Sequence, residues 1–180
     1  MKTGSSASGF TDAGDRMSYS KKRLFRQKYR KHIEDLLEMA EVRKMDGFIQ
    51  HSDISTLRHC LHVSYVSFLI CFLFRWDFRC AARGGLLHDL FLYDWHDKSA
   101  RGYLHGFTHP RKALMNARIC VSDLNSKEED IILNHMWPLT VYRLPRHRET
   151  FIVSTADKFC TVLEVLKIKN GLFSEIDSLI

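Results

Sequence analysis

The chain predicts an all-α fold, a compact helical bundle, on three observations. Apolar residues recur at three-to-four-residue spacing over most of the sequence after residue 20. Helix-start signals stand where these periodic stretches begin, including Ser55, Pro110 and a Ser126/Glu129 pair. Strand-type alternation is absent, apart from an ambiguous run over Thr150–Ser154. A length of 180 residues suits one domain with a single substantial core.

Met1–Ser20 is rich in Gly, Ser, Asp and Thr, with only Phe10 and Met17 as large apolar residues, and reads as a disordered tail without the apolar core of a signal peptide. The remainder, 21–180, reads as a single helical domain whose motif-bearing core is about 55–167. Arg23–Lys44 carries Phe25, Tyr29, Ile33, Leu36, Leu37 and Ala40 at helical spacing, as an amphipathic helix does, with Leu24 also expected to face inward. A second helix is expected from Asp53 or Ser55 to about Arg75, and a third from Asp77 to about Leu90. Phe91–Phe107 is loop-like, and Pro110 is placed at the first position of the next helix, where its missing N–H costs nothing. Ser126 and Glu129 read as a capping box for Lys127–Met136. Pro138 and Pro145 bracket an irregular segment, and a last helix covers about Arg148–Lys167. The apolar run Val63–Phe74 is too short to span a bilayer and reads as a core helix.

The formal charge is +6, but Lys21, Lys22, Arg23, Arg26, Lys28, Arg30 and Lys31 carry seven positive charges with no acid among them, which leaves about −1 for the rest. The basic balance therefore describes one helix. Contact of segment 21–31 with nucleic acid or an anionic membrane surface is one reading; a solvated helix face is the favoured one. The five cysteines are odd in number and show no Cys-x-x-Cys spacing, so they read as small core residues in a reducing, cytoplasmic compartment. The C-terminal residues Leu172, Phe173, Ile176 and Leu179 offer an apolar surface for dimerisation, as does the basic helix, and the oligomeric state is left open.

The chemistry lies in six residues: His59, the adjacent pair His88-Asp89, His109, His135 and Asp157. The pair closes an apolar, small-residue run, Ala-Ala-Arg-Gly-Gly-Leu-Leu-His-Asp-Leu, that reads as a buried helix. Burying an imidazole beside a carboxylate is costly unless a metal or a hydrogen-bond network satisfies both. Each of the other four sits on a different predicted helix, and helical bundles build metal sites from side chains that facing helices project inward. Four imidazoles and two carboxylates are too many for one catalytic ion that keeps open positions. They suit two divalent ions sharing a bridging carboxylate, with Mn, Fe, Zn, Ni or Mg all compatible with the donor set and Mg alone the poorest match.

These segments resemble the HD-domain superfamily of metal-dependent phosphohydrolases, over about His59 to Lys158. His59-Cys-Leu-His-Val is similar to its first motif, Gly84-Gly-Leu-Leu-His88-Asp89 to its His-Asp signature, and Ala156-Asp157-Lys158 to its closing Asp motif. His109-Pro110 and His135 resemble the extra histidines of the two-metal branch. The resemblance implies that His59, His88, Asp89 and Asp157 hold the first metal, that Asp89 bridges, and that His109 and His135 hold the second. It implies hydrolysis of a small phosphorylated substrate, a phosphomonoester or phosphodiester such as a nucleotide, by metal-activated water, with His88 and Asp89 at the catalytic centre. The chain departs from some relatives: no Gly-Lys follows His88-Asp89, and the Gly-Tyr-Pro tripeptide of the cyclic-dinucleotide esterases is absent. No Ser-His-Asp or Cys-His nucleophile motif and no glycine-rich phosphate loop is evident. Two other readings of the same ligand set are an HD-type di-iron oxygenase and a non-catalytic metal-binding or sensing HD domain. His96, His105, Arg111 and Arg146 are the candidate substrate contacts, the histidines from their place on the loop between the two halves of the site and the arginines because a guanidinium fork suits phosphate.

Overall fold

The computed structural model describes residues 22–97, 105–168, 173 and 176–179. The expected tail 1–20, Lys21 and residues 98–104 of the expected loop lie outside the described residues. The fold is all-α, with one small hairpin. In chain order it comprises α1 (22–30), α2 (Glu34–Leu37), α3 (Ala40–Lys44), a 3-10 turn (Met45–Gly47), β1 (Ile49–His51), β2 (Ile54–Ser55), α4 (Thr56–Leu73), α5 (Phe78–Leu87), α6 (His105–Cys120), α7 (Ser126–Asn134) and α8 (Arg148–Val165).

Helix α4 is the central element, packed against α5 and α8, while α7 joins α5, α6 and α8 on the far side. Its N-terminus is fixed by Ser55, whose Oγ accepts from the Arg58 N–H. Residues on every face of it are buried, as expected of a helix apolar all round. It is longer than its apolar run suggests, and by length and composition could cross a membrane, yet 72% of it is buried inside the fold. It stops at a Schellman motif: Arg75 takes φ 57°, its N–H donates to Phe72 O, and the Trp76 N–H donates to Cys71 O at 2.8 Å. Helix α8 ends the same way at Lys167, with φ 53°.

Close approach of α5 to its neighbours requires glycine. A Cβ on Gly85 would lie 2.8 Å from the Ser64 Cα of α4, and one on Gly84 would lie 2.8 Å from Ile131 of α7. The Ser64 contact is with backbone and cannot rotate away. Gly85→Ala is therefore expected to destabilise the fold by about 1–3 kcal/mol, read by urea denaturation. Because Gly85 O accepts from His88 Nδ1 at 2.8 Å, the same variant should also bind metal more weakly. Unchanged stability would mean that the two helices separate without cost.

Several expectations are corrected by packing. The single helix over 23–44 is three short ones, broken at Lys31–Ile33 and at Met39, whose backbone is extended. The breaks let Tyr29, Ile33, Leu36, Val42 and Met45, none with exposed area, all face one core. Leu24 does not face inward; it is 65% exposed, while Phe25 meets Phe72 edge-on at 5.2 Å. The β1–β2 hairpin was not expected, since strands of three and two residues are too short to register as alternation. Helix α6 begins at His105, so Pro110 lies inside it. The capping box of α7 is Asn125 with Glu128, one residue earlier than the Ser126/Glu129 reading. Phe173 and Ile176 are buried within the chain and so are not a free dimerisation surface. The cysteines are free thiols and, Cys120 apart, buried.

Candidate metal centre

Five elements converge at one end of the α4–α5–α8 core. His59 projects from the first turns of α4, His88 caps the C-terminus of α5 with Asp89 following, His109 lies on α6, His135 caps α7, and Asp157 lies mid-way along α8. All six are buried.

Asp89 is the centre of the arrangement. Its Oδ1 lies 3.2 Å from His109 Nε2 and 3.5 Å from His135 Nε2, while its Oδ2 lies 3.5 Å from His88 Nε2. Asp157 Oδ1 lies 3.2 Å from His59 Nε2 and 3.8 Å from His88 Nε2. The His109 and His135 Nε2 atoms are 2.9 Å apart. Three of the rings are fixed at their other nitrogen. His59 Nδ1 donates to Glu164 Oε2 at 2.8 Å, His88 Nδ1 to Gly85 O at 2.8 Å, and His135 Nδ1 to Ile132 O at 2.8 Å. Each ring therefore aims Nε2 at the carboxylates. Once Nδ1 carries the proton, Nε2 is an acceptor facing an acceptor, and only a cation or an extra proton satisfies both. His88 Nε2 is buried without a hydrogen-bond partner, an arrangement that costs free energy in a folded core unless a ligand completes it. Ligand atoms of His59, His88 and Asp157, and of His88, Asp89 and His135, cluster closely enough to hold an ion, and His51, His59 and Glu164 form a third such group.

The charges respond to this crowding. Burial opposes protonation of His59, but hydrogen bonds to Asp157 and Glu164 outweigh it and raise its pKa to about 10. Burial likewise opposes ionisation of Glu164, yet His59 and His62 hold it down to about 2. Asp89 and Asp157 are also buried and still kept well below the usual carboxylate range by the surrounding imidazoles. Burial, with the charge of His88 next, lowers His135 to about 3, so its imidazole is neutral at physiological pH.

A pH prediction follows. In the metal-free protein the raised pKa keeps His59 protonated at pH 7, so an incoming ion must displace the Nε2 proton. Metal uptake is expected to release that proton. Affinity should rise by up to about tenfold per pH unit between about pH 6 and 8.5, because the competing proton is lost only as pH approaches the folded pKa. Titration calorimetry in two buffers of different protonation enthalpy reads the proton directly. A flat affinity profile with no proton release would contradict the assignment of His59 as a ligand.

Several partners escape the sequence reading. Glu164, two helical turns after Asp157 on α8, bonds His59 through Oε2 and His62 Nδ1 through Oε1 at 2.9 Å. His62 Nε2 lies 2.9 Å from Asp177, and its ring stacks on Phe173 at 4.1 Å. Gln50 on β1 donates from Nε2 to Asp89 Oδ2 at 2.6 Å and is itself held by Thr56 Oγ1. Such partners orient the ligands and raise their basicity. The spacing of Glu164 from Asp157 and of His62 from His59 placed each on the ligand face of its helix and was the available signal. Gln50 had none, because its hairpin was not anticipated.

A cavity of about 440 Å³ opens onto the centre, lined by Asp89, His109, His135 and Asp157 together with His51 and Lys158. Lys158 Nζ donates to His135 O at 2.9 Å and to Asp157 Oδ2 at 3.2 Å, tying α8 to the end of α7. Three of the four expected substrate contacts are placed elsewhere, and the fourth is not described. His96 is exposed and pairs with the exposed Asp94 at 3.2 Å. Arg111 is exposed and does not line the cavity; two residues on from His109, it falls on another face of α6. Arg146 borders a separate cleft, its backbone N–H held by Asp130 Oδ2 at 3.0 Å. The His105 side chain lies outside the described residues. No family model, curated protein or solved structure matches the chain.

Proposed function

We propose that the chain is a metal-dependent phosphoric ester hydrolase of the HD superfamily. Two divalent ions would be held by His59, His88, Asp89 and Asp157 on one side and by Asp89, His109 and His135 on the other. The observation that carries the reading is the placement of Asp89. One oxygen faces the His109/His135 pair and the other faces His88, as a bridging carboxylate must. Bound there, two divalent cations would supply an activated water near neutral pH and would neutralise charge developing on a phosphoryl group.

The protein's own residues then have defined tasks. Gln50 fixes the rotation of the Asp89 carboxylate, so that neither oxygen can swing away from its imidazoles. Glu164 holds His59 in the tautomer that presents Nε2. Lys158, on the cavity wall, holds Asp157 and ties it to the His135 carbonyl and to Ser154. Such a cavity would admit a small phosphorylated substrate to the candidate ligands, an access that a metal serving only to hold the bundle together would not require.

The test is elemental analysis of protein purified without chelator, paired with a panel of phosphomonoesters and phosphodiesters and added Mn²⁺. About two ions per chain with ester turnover is the expected result. Two irons with dioxygen consumption and no ester turnover would replace this reading with an oxygenase. Absence of metal and of any turnover after metal is restored would reject catalysis altogether.

A further inference from the structure

The cavity has two chemically different halves. Its floor is the metal centre. Its lining also carries the apolar side chains of Trp95, Met136, Leu139 and Val162, taken together as its apolar wall. The segments that supply the candidate ligands also supply most of this wall: Met136 is next to His135, Leu139 follows after Trp137 and Pro138, and Val162 lies just over one turn beyond Asp157 on α8. Trp95 continues the wall on the side of the hairpin. Its ring is 6.3 Å from that of His51, which in turn stands edge-on to His59 at 5.4 Å. Gly106 leaves the space between these groups open; a Cβ there would reach van der Waals contact with Leu139 at 3.7 Å and with Met136 at 4.0 Å. Leu139 and Val162 remain 53% and 54% exposed at the rim. Apolar side chains left at the mouth of a site and continuous with its ligands are those that a bound molecule covers.

We propose that this wall seats the alcohol portion of the ester, and that this portion is apolar or aromatic. The proposal rests on the hydrolase reading, and it adds the chemical class of the group released. The phosphate would meet the floor, where Lys158 and the ion ligands are, and the organic body would rise along Trp95, Met136, Leu139 and Val162. A volume of about 440 Å³ accommodates a body of one or two rings. A small polyol phosphate would reach the same floor but leave the apolar wall uncovered and lose the hydrophobic share of binding.

The test uses non-hydrolysable phosphonates on the Mn²⁺-loaded protein, so that binding is read apart from turnover. Phenylphosphonate is expected to bind at least about tenfold more tightly than methylphosphonate by calorimetry, since burying a ring gains more than burying one methyl group. Leu139→Asp and Val162→Asp, both at exposed rim positions and so expected to fold, should each shrink that ratio severalfold. Steady-state hydrolysis of phenyl phosphate against glycerol phosphate should follow the same order. Equal affinity for the two phosphonates would overturn the apolar seat while leaving the hydrolase reading standing, provided that either ester is cleaved. A preference for phenylphosphonate untouched by both rim variants would overturn the assignment to this wall. Failure to bind either phosphonate or to cleave any ester would remove the hydrolase reading, and this proposal with it.

Discussion

Asp89→Asn is expected to lose the bound metal and to cut ester hydrolysis by more than about a hundredfold, while its far-UV circular dichroism stays that of the native helical fold. The size of the loss follows from position. Removing an outer partner of a metal ligand already costs about 10–100-fold, and Asp89 is the group on which both halves of the centre converge. Asparagine keeps the shape but offers one weakly donating oxygen where two charged ones stood, and its amide would turn donors toward the ion. The fold survives because the side chain sits just beyond the end of α5, outside the hydrogen-bonded ladder. Gln50→Ala serves as the graded control. It leaves the carboxylate and removes only the bond at 2.6 Å that orients it, so metal affinity should fall by about 10–100-fold without vanishing. An Asp89→Asn protein with undiminished metal content and turnover would sink the bridging-carboxylate assignment.

The parts of the molecule that were legible in the sequence are those where one local rule acts alone. Helices α4, α5 and α8 begin at or beside expected residues because Ser55 and Asp77 cap the first two, and because apolar-rich stretches of 10–18 residues are too long for strands. The six candidate ligands stood out because imidazoles and carboxylates placed on apolar helices demand an explanation, and the structure brings the six side chains to one place. Where tertiary packing overrides propensity the reading fails. The 23–44 stretch has helical periodicity throughout, yet wrapping Ile33, Leu36, Val42 and Met45 around one core needs two breaks that no residue announces. The candidate substrate contacts Arg111 and Arg146 lie away from the cavity for a different reason. Arg111 and Arg146 are near ligands in the chain, but helix geometry turns the first away and Asp130 anchors the second over another cleft. The groups that do attend the centre, Glu164 and Gln50, act through hydrogen bonds between elements far apart in sequence, which spacing alone does not specify.

Arg83→Met is expected to produce the largest loss of stability. Arg83 lies on α5 with its side chain 2% exposed, and its three nitrogen groups are all taken: Nε by Glu128 at 3.0 Å, Nη1 by Asp35 at 2.5 Å and Nη2 by Asp123 at 2.7 Å. One guanidinium thus joins α5 to α2, to α7 and to the turn before α7. Asp35 and Asp123 have side chains about half exposed, at 49% and 53%, and water can solvate them if Arg83 is lost. Glu128 has no exposed area and would keep only its capping bond to the Asn125 N–H. Breaking one partner out of a buried ion pair costs about 3–5 kcal/mol because the other charge is stranded. Burial already raises the Glu128 pKa, and Arg83 opposes that rise. Without Arg83 the pKa rises further. A carboxyl whose folded pKa exceeds its unfolded value favours the fold at low pH and loses that contribution as pH climbs through the folded value. The deficit of Arg83→Met should therefore be largest at pH 7 and shrink toward pH 5, opposite to the trend for a carboxylate stabilised by pairing. Adding Glu128→Leu to Arg83→Met removes the stranded charge and should recover a substantial part of the loss at pH 7, since a buried pair replaced whole is often close to neutral. Urea denaturation of the wild-type, single and double variants at both pH values reads all of this. If the double variant were as unstable as the single one at pH 7, the cost would lie in lost cross-links between α5 and its neighbours, and the stranded Glu128 charge would not be its source.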